Sequence, residues 1–367
     1  MCSGCGNSSS TPGESAGDAE IYSPLPVFSQ SQVYVSTGTL YAFSSADGRL
    51  SLSYLSGNHS SLFASAPTIV GNRIYIAREV PSSSGSASIH AVYALRKDDG
   101  AIVWRTLVDD ASPLSPLVAN AMVYVSSIDH FLYALRASDG TIAWHYRASG
   151  TDTTFDVIVL DHGIIYTNAS DDSFYALNAT SGTLLWHRKA NEDNTNGPAV
   201  ANGIVYISGH GGVLALSARD GMRLWHYAIN DYLTAPVVSN GVVYVIAISG
   251  SLYALRANNG TLLWQHHLPD LGFFGLYPLR VVKDIVLYAG LRLSSSSNNQ
   301  APTEESYVYA LRAKDGSLIW QYKIGGRADL SLGIGDNAVY AVDIYNMLYA
   351  LRISDGALLW HVQIPAS

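Results

Sequence analysis

Cysteine is almost missing from this chain. Of 367 residues only Cys2 and Cys5 are cysteine, so whatever folds beyond residue 5 holds together without disulfides and works without thiol chemistry. Charge is sparse as well, at 14% Asp, Glu, Lys and Arg, against about a quarter in ordinary globular chains. The 21 Lys+Arg against 29 Asp+Glu leave a net charge of −8, and no stretch concentrates basic residues. Nucleic acid and anionic membrane surfaces are excluded as partners on that ground. Long apolar runs are absent too. Stretches such as Val242 to Ile248 fall far short of the roughly 20 residues that a membrane helix needs. Helical spacing of apolar residues, an HExxH pair, a phosphate-cradling glycine loop and a nucleophile elbow are all missing. Gly209-His210-Gly211-Gly212 is glycine-rich, but it reads as a hairpin turn and not as a strand-to-helix loop.

What the chain has is hydrophobic mass, 48% of residues, and internal repetition. The segment Val92-Tyr-Ala-Leu-Arg-Lys-Asp-Asp-Gly-Ala-Ile-Val-Trp104 recurs with endings at Trp144, Trp186, Trp225, Trp264, Trp320 and Trp360, which together use all seven tryptophans. A degenerate eighth copy, Leu40 to Leu52, carries Leu52 where the tryptophan belongs. The base period is about 40 residues, and each unit contains four short runs rich in Val, Ile, Tyr and Trp, separated by Asn-Gly, Asn-Ala or Asp-Gly turns. This predicts an all-β, eight-bladed β-propeller with four antiparallel strands per blade, spanning 21–367. The phase of the repeat lets each blade form from one contiguous segment, so that first and last blades meet by side-chain packing; a shared closing strand is possible and not required. Residues 1–20, small and polar, read as a disordered N-terminal tether.

Within the motif, the glycine follows Asp or Asn in most copies and suits positive φ in a tight turn. The small Ala134 is expected to let a neighbouring indole lie flat on the third strand, and each indole to wedge two blades together while its N–H finds an acceptor. These residues, Trp104, Trp144, Trp186, Trp225, Trp264, Trp320 and Trp360, are read as structural anchors. On this motif the chain resembles the pyrroloquinoline-quinone-type, quinoprotein dehydrogenase-like β-propellers, whose blades carry a tryptophan-docking repeat Ala-x-Asp-x-x-Thr-Gly-x-x-x-Trp. The resemblance covers 22–364. Two positions depart from it: Arg96, Arg136, Arg256, Arg312 and Arg352 stand where the family has Asp, and Asp47, Asp99, Asp139, Asp220, Asp315 and Asp355 where it has Thr. Arg and Asp three residues apart are able to pair across the turn, for about 0 to 1 kcal/mol each.

The resemblance implies that enzymes of the family hold the quinone over the axis, stacked on a tryptophan, beside a Ca²⁺ set by Glu, Asn and Asp and usually a disulfide of adjacent cysteines. This chain has no adjacent cysteines, and every tryptophan is assigned to a blade. No catalytic, cofactor or metal residues are therefore assigned, and no cofactor is expected. His145, His187, His226 and His361 directly follow motif tryptophans and are read as rim residues; His266 and His267 point to opposite faces of a strand. The acidic run Asn168 to Ser173 lacks the EF-hand pattern and is read as a solvated turn.

Irregularities of the repeat carry the functional expectation. Arg78 to Ala91 in blade two and Leu291 to Tyr307 in blade seven read as extended Ser-rich loops between second and third strands. Both emerge on the face that also receives Phe155, Tyr232, Phe273, Phe274 and Tyr277, with Asp109, Asp110, Asp152, Glu192 and Asp193. An aromatic and acidic rim is a candidate partner face; alternatively, Phe273 and Phe274 pack under the blade-seven insertion. Cys2-Ser-Gly-Cys5 before a Ser/Gly/Pro tether resembles the end of a bacterial lipoprotein signal with Cys5 lipidated, and the basic and apolar parts of that signal are expected in frame upstream of Met1. The expected protein is an exported monomer at the cell surface or in the periplasm. It is a non-enzymatic scaffold or sensor ectodomain with a protein partner, touching membrane only through a lipid anchor. The alternatives are a quinone- and Ca²⁺-dependent dehydrogenase and a propeller that binds a small ligand or carbohydrate.

Overall fold

The computed structural model describes residues 25–54, 65–80, 89–108, 115–127, 129–148, 153–189, 196–267, 279–293, 304–325, 332–335 and 337–365. They form 32 strands in eight antiparallel sheets of four, each built from consecutive strands. Blade one is Val27–Ser29, Gln32–Ser36, Leu40–Ser44 and Leu50–Tyr54; blade eight is Leu332–Gly335, Ala338–Val342, Met347–Arg352 and Leu358–Gln363. This is the eight-bladed propeller that the period demands, and among the described residues no blade borrows a strand from the other end of the chain. First strands of neighbouring blades touch at six of the eight seams, including Val27–Ser29 against Leu332–Gly335, so they line the axis and the ring is closed.

The core lies between blades rather than within them. Leu287 and Val308 of blade seven pack with Val339 and Leu351 of blade eight, and Val33 and Phe43 of blade one with Tyr340 and Leu348 of blade eight. Alternation along each strand supplies both faces of a sheet with apolar side chains, one for each neighbour.

The tryptophan seats differ in one respect from expectation. Ala134 lies opposite its own blade's Trp144 in the ladder, and the register slips by one residue immediately after it. The flat seat is instead the turn glycine of the following blade. Gly182 has φ +71°, and a Cβ there would come within 2.6 Å of the Trp144 ring. The glycine is thus required both by its turn and by the indole above it. The Trp144 Nε1 donates to the Ala179 carbonyl, three residues before that glycine, at 3.1 Å. The same bond recurs for every tryptophan, ending with Trp360 Nε1 to Ser45 O at 2.8 Å across the closure between blades eight and one.

Blade one has no tryptophan, yet its seat is filled. Tyr54, two residues beyond Leu52, lies over Gly100 and donates its hydroxyl to Lys97 O at 2.7 Å, the equivalent carbonyl of blade two.

The insertions of blades two and seven are partly ladder. In blade two the strands Arg73–Val80 and Ile89–Arg96 stay paired out to Val80 and Ile89. In blade seven Ile285–Leu293 and Glu304–Arg312 stay paired out to Leu293 and Glu304. Residues 78–80, 89–91, 291–293 and 304–307, expected in loops, are therefore hairpin arms. Backbone pairing carries the ladder past the end of the apolar pattern that marks strands in the sequence.

Candidate interaction face

Antiparallel order sends the hairpin between second and third strands and the link to the next blade to the same face of the ring. His210, in the blade-five hairpin, and Tyr232, in the link to blade six, meet there edge to face with ring centroids 4.6 Å apart. Tyr232 is 46% exposed. Its segment is fastened to the blade-six hairpin: Asp231 Oδ2 accepts from Ser249 N at 3.2 Å, Ile248 N donates to Tyr232 O at 2.8 Å, and Leu233 bridges Ala247. The Tyr232 ring is therefore presented on a pinned backbone, beside the exposed Ile248.

Blade eight adds a residue that the sequence reading missed. Tyr345, 64% exposed, tops a hairpin whose Asp343 takes three backbone and side-chain donors: Tyr345 N and Met347 N on Oδ1, and Tyr349 OH on Oδ2. Asp129 with Tyr133 and Asp171 with Tyr175 form the same brace in blades three and four. The signal was available as an aspartate in the turn ahead of the motif tyrosine, with Tyr345 as the aromatic between them.

Phe155 does not belong to this face. It is 1% exposed and packs edge-on against Tyr175 at 5.4 Å, beside Tyr146, because it opens an inner strand, Phe155–Asp161, whose start turns into the seam between blades three and four. The Asn168–Ser173 turn is likewise not simply solvated: Asn168 is buried and donates to Asp156 at 3.0 Å. Phe273, Phe274, Tyr277, Asp109, Asp110, Asp152, Glu192, Asp193 and Cys5 lie outside the described residues.

The rim histidines sit where the repeat places them. His145, His187 and His361 are exposed on outermost strands, and His226 reaches Gly211 O at 3.0 Å. His267 meets Ser251 Oγ at 3.0 Å, while His266 points to the other face. Among the described residues no three of His, Cys, Asp and Glu come together as a metal site. At the blade turns, Asp99 and Asp355 pair with Arg96 and Arg352 at 2.6 and 2.8 Å on the exposed surface. Each also accepts the backbone N–H two residues on, from Ala101 and Ala357.

No curated protein matches this chain. Among solved structures the fold is shared with a computationally designed protein, Ika8, at TM-score 0.69 and 14% identity over 94% of this chain and 98% of that one. BamB from Moraxella catarrhalis superposes at TM-score 0.64 with 18% identity, over 93% and 94% of the two chains. A europium-containing methanol dehydrogenase superposes at TM-score 0.61 with 11% identity, over 82% and 78%. These likenesses establish architecture. The family model described as outer membrane protein assembly factor BamB matches residues 86–168, 170–329 and 304–367. With the blade motif carried through that whole span, the chain belongs to the BamB family of pyrroloquinoline-quinone-type repeat propellers.

Proposed function

We propose that this propeller is a non-enzymatic assembly scaffold that holds a protein partner on its hairpin face. The observation that carries the reading is the match to the assembly-factor family over 86–367. The asymmetry of the ring supports it: blades two and seven alone extend their central hairpins, and they do so on the face that presents Tyr232 and Tyr345. Exposed tyrosines on a pinned backbone suit protein contacts, since they bring large area at little entropic cost.

A quinone-dependent dehydrogenase is the weaker reading. All seven indoles lie between blades with their N–H groups bonded to the next blade's carbonyl, and none is left for stacking on a quinone at the axis. The residues present do not fit that group, and no chemistry is derived through it. We place the protein outside the cytoplasm, in the periplasm or at the cell surface, with Cys5 as the residue that would carry a lipid.

The test is site-specific photocrosslinking in cells expressing the gene with its natural upstream sequence. A photoreactive residue at Tyr232 or Tyr345 is expected to give one discrete protein adduct, and one at Leu224, on the outer strand near the opposite face, to give none. Removing 82–88 and 295–303 is expected to weaken the adduct while leaving the fold intact. Equal labelling from all three positions, or none from the tyrosines, overturns the reading. Fractionation of the same cells with Cys5→Ser tests the anchor, since a lipidated Cys5 predicts release from the membrane fraction.

A further inference from the structure

Blade seven breaks a rule that the other seven keep. In each blade one residue of the innermost strand lies directly opposite the third residue of the second strand. The pairs are Val27 with Tyr34, Thr68 with Tyr75, Leu117 with Tyr124, Val159 with Tyr166, Ala199 with Tyr206, Val237 with Tyr244 and Gly333 with Tyr340. In blade seven the pair is Arg280 with Leu287, so the polarity is inverted and a cation stands on the strand that lines the axis.

The exchange costs twice. Leu287 lacks the hydroxyl that Tyr124, Tyr166 and Tyr206 donate to the next blade's seat carbonyl at 3.1, 3.2 and 3.1 Å. Arg280 sets a half-buried charge on the side of its strand that also carries Val282, toward Leu332 and Ile334 of blade eight, where an unpaired charge is expensive. Among the described residues it makes one polar contact, Nε donating to Leu332 O of blade eight at 3.0 Å. The residue keeps part of its surface in solvent. Burial pulls the guanidinium below the ordinary arginine value, and among the described residues no carboxylate raises it. The other charged residues of the innermost strands, Asp156 and Asp161, stand in blade four beside Asn168 and His162. A repeat that sacrifices a hydrogen bond to place an uncompensated cation at one position marks that position for a ligand.

We propose that Arg280 is the anion-binding residue of a small-molecule site on the propeller axis, and that its ligand is a small organic acid with a short aliphatic body. With Nε held by Leu332 O, the two Nη groups form the free edge that a carboxylate meets with two parallel hydrogen bonds. Val282 and Ile334, on the same seam, cover the aliphatic part. This site goes beyond the scaffold reading and does not rest on it, so its failure leaves the crosslinking result untouched.

Calorimetric titration of the full chain with 3-methylbutanoate tests it. Saturable binding with a dissociation constant of about 1 mM or tighter is expected, and none for 3-methylbutanamide, which keeps the shape and lacks the charge. Arg280→Lys, which keeps the charge and loses the fork, is expected to weaken binding about tenfold, and Arg280→Gln to abolish it. If 3-methylbutanoate does not saturate, or if the amide or a folded Arg280→Gln binds as well, the proposal is wrong. Inorganic phosphate binding more tightly than the carboxylate overturns the organic-acid assignment. Should Arg280→Gln fail to fold, the acid and amide on the unaltered chain, with Arg280→Lys, still decide.

Discussion

A tyrosine in blade one does the work of a tryptophan elsewhere, and this sets the most direct residue-level test. Alignment of the repeat puts Leu52 in the tryptophan column, and by that column blade one lacks its anchor. The fourth strand, Leu50–Tyr54, instead carries the ring two residues later, on the same side of the strand, over Gly100 and within reach of Lys97 O. Tyr54→Ala is expected to cost about 3 kcal/mol, close to Trp144→Ala at about 3 to 5 kcal/mol, and Leu52→Ala, half-buried, about 1 kcal/mol. Denaturant unfolding of the three variants checks the order, and a larger loss at Leu52 than at Tyr54 would remove the role given to the tyrosine. The seven tryptophans and their turn glycines were legible because each is fixed in number and spacing. Tyr54 was not, since a side chain two positions along a strand reaches the same neighbour by a change of rotamer and length that spacing does not encode.

Among the elements, the turn between third and fourth strands carries the clearest pH signature. Asp47, Asp139, Asp220, Asp315 and Asp355 all lie below the ordinary carboxylate range. The hydroxyls of Ser44, Ser217 and Ser317 are the first cause for Asp47, Asp220 and Asp315, and the backbone N–H groups of Thr141 and Ala357 for Asp139 and Asp355. A lowered folded value means that the unfolded chain takes up these protons first. The stabilisation is complete above the unfolded carboxylate value of about 4 and is lost as pH falls through the lower, folded values. The melting temperature is therefore expected to be flat from neutral pH to about pH 5 and to fall below about pH 4. Replacing the five aspartates by Asn, which blade six already uses as Asn259 with its Oδ1 accepting from Thr261 N, keeps the acceptor and should flatten the acid limb; an unchanged limb would assign the loss to other groups. The Asp-Gly turns were readable from the sequence as turns. The hairpin arms of blades two and seven were not, because Ser-rich stretches carry no apolar alternation, while backbone pairing extends into them from the ladder below.

At the scale of the ring, the seam between first and last blades is built like the others and should behave like them. Trp360 seats on Gly48 and donates to Ser45 O, Phe28 stacks on Tyr340 at 6.1 Å with planes 9° apart, and the innermost strands touch. Each blade is one contiguous segment, so no hydrogen-bonded ladder depends on where the chain is cut between blades. A circular permutant that joins 365 to 25 by a short Gly/Ser linker and opens within 190–195, between blades four and five, is expected to melt within a few degrees of the parent. One that opens at 171–172, inside the blade-four hairpin, separates the paired strands Ile164–Ala169 and Ser173–Asn178 and the Asp171–Tyr175 brace, and is expected to melt well below it. The phase of the repeat already allowed the contiguous blade. The phase could not say whether packing alone closes the circle, because that depends on Trp360, Phe28 and the glycines of Leu332–Gly335 meeting across the whole length of the chain. If the permutant opened between blades fails to fold while Trp360→Ala is tolerated, the terminal seam is not equivalent to the other seven, and closure must draw on residues beyond these contacts.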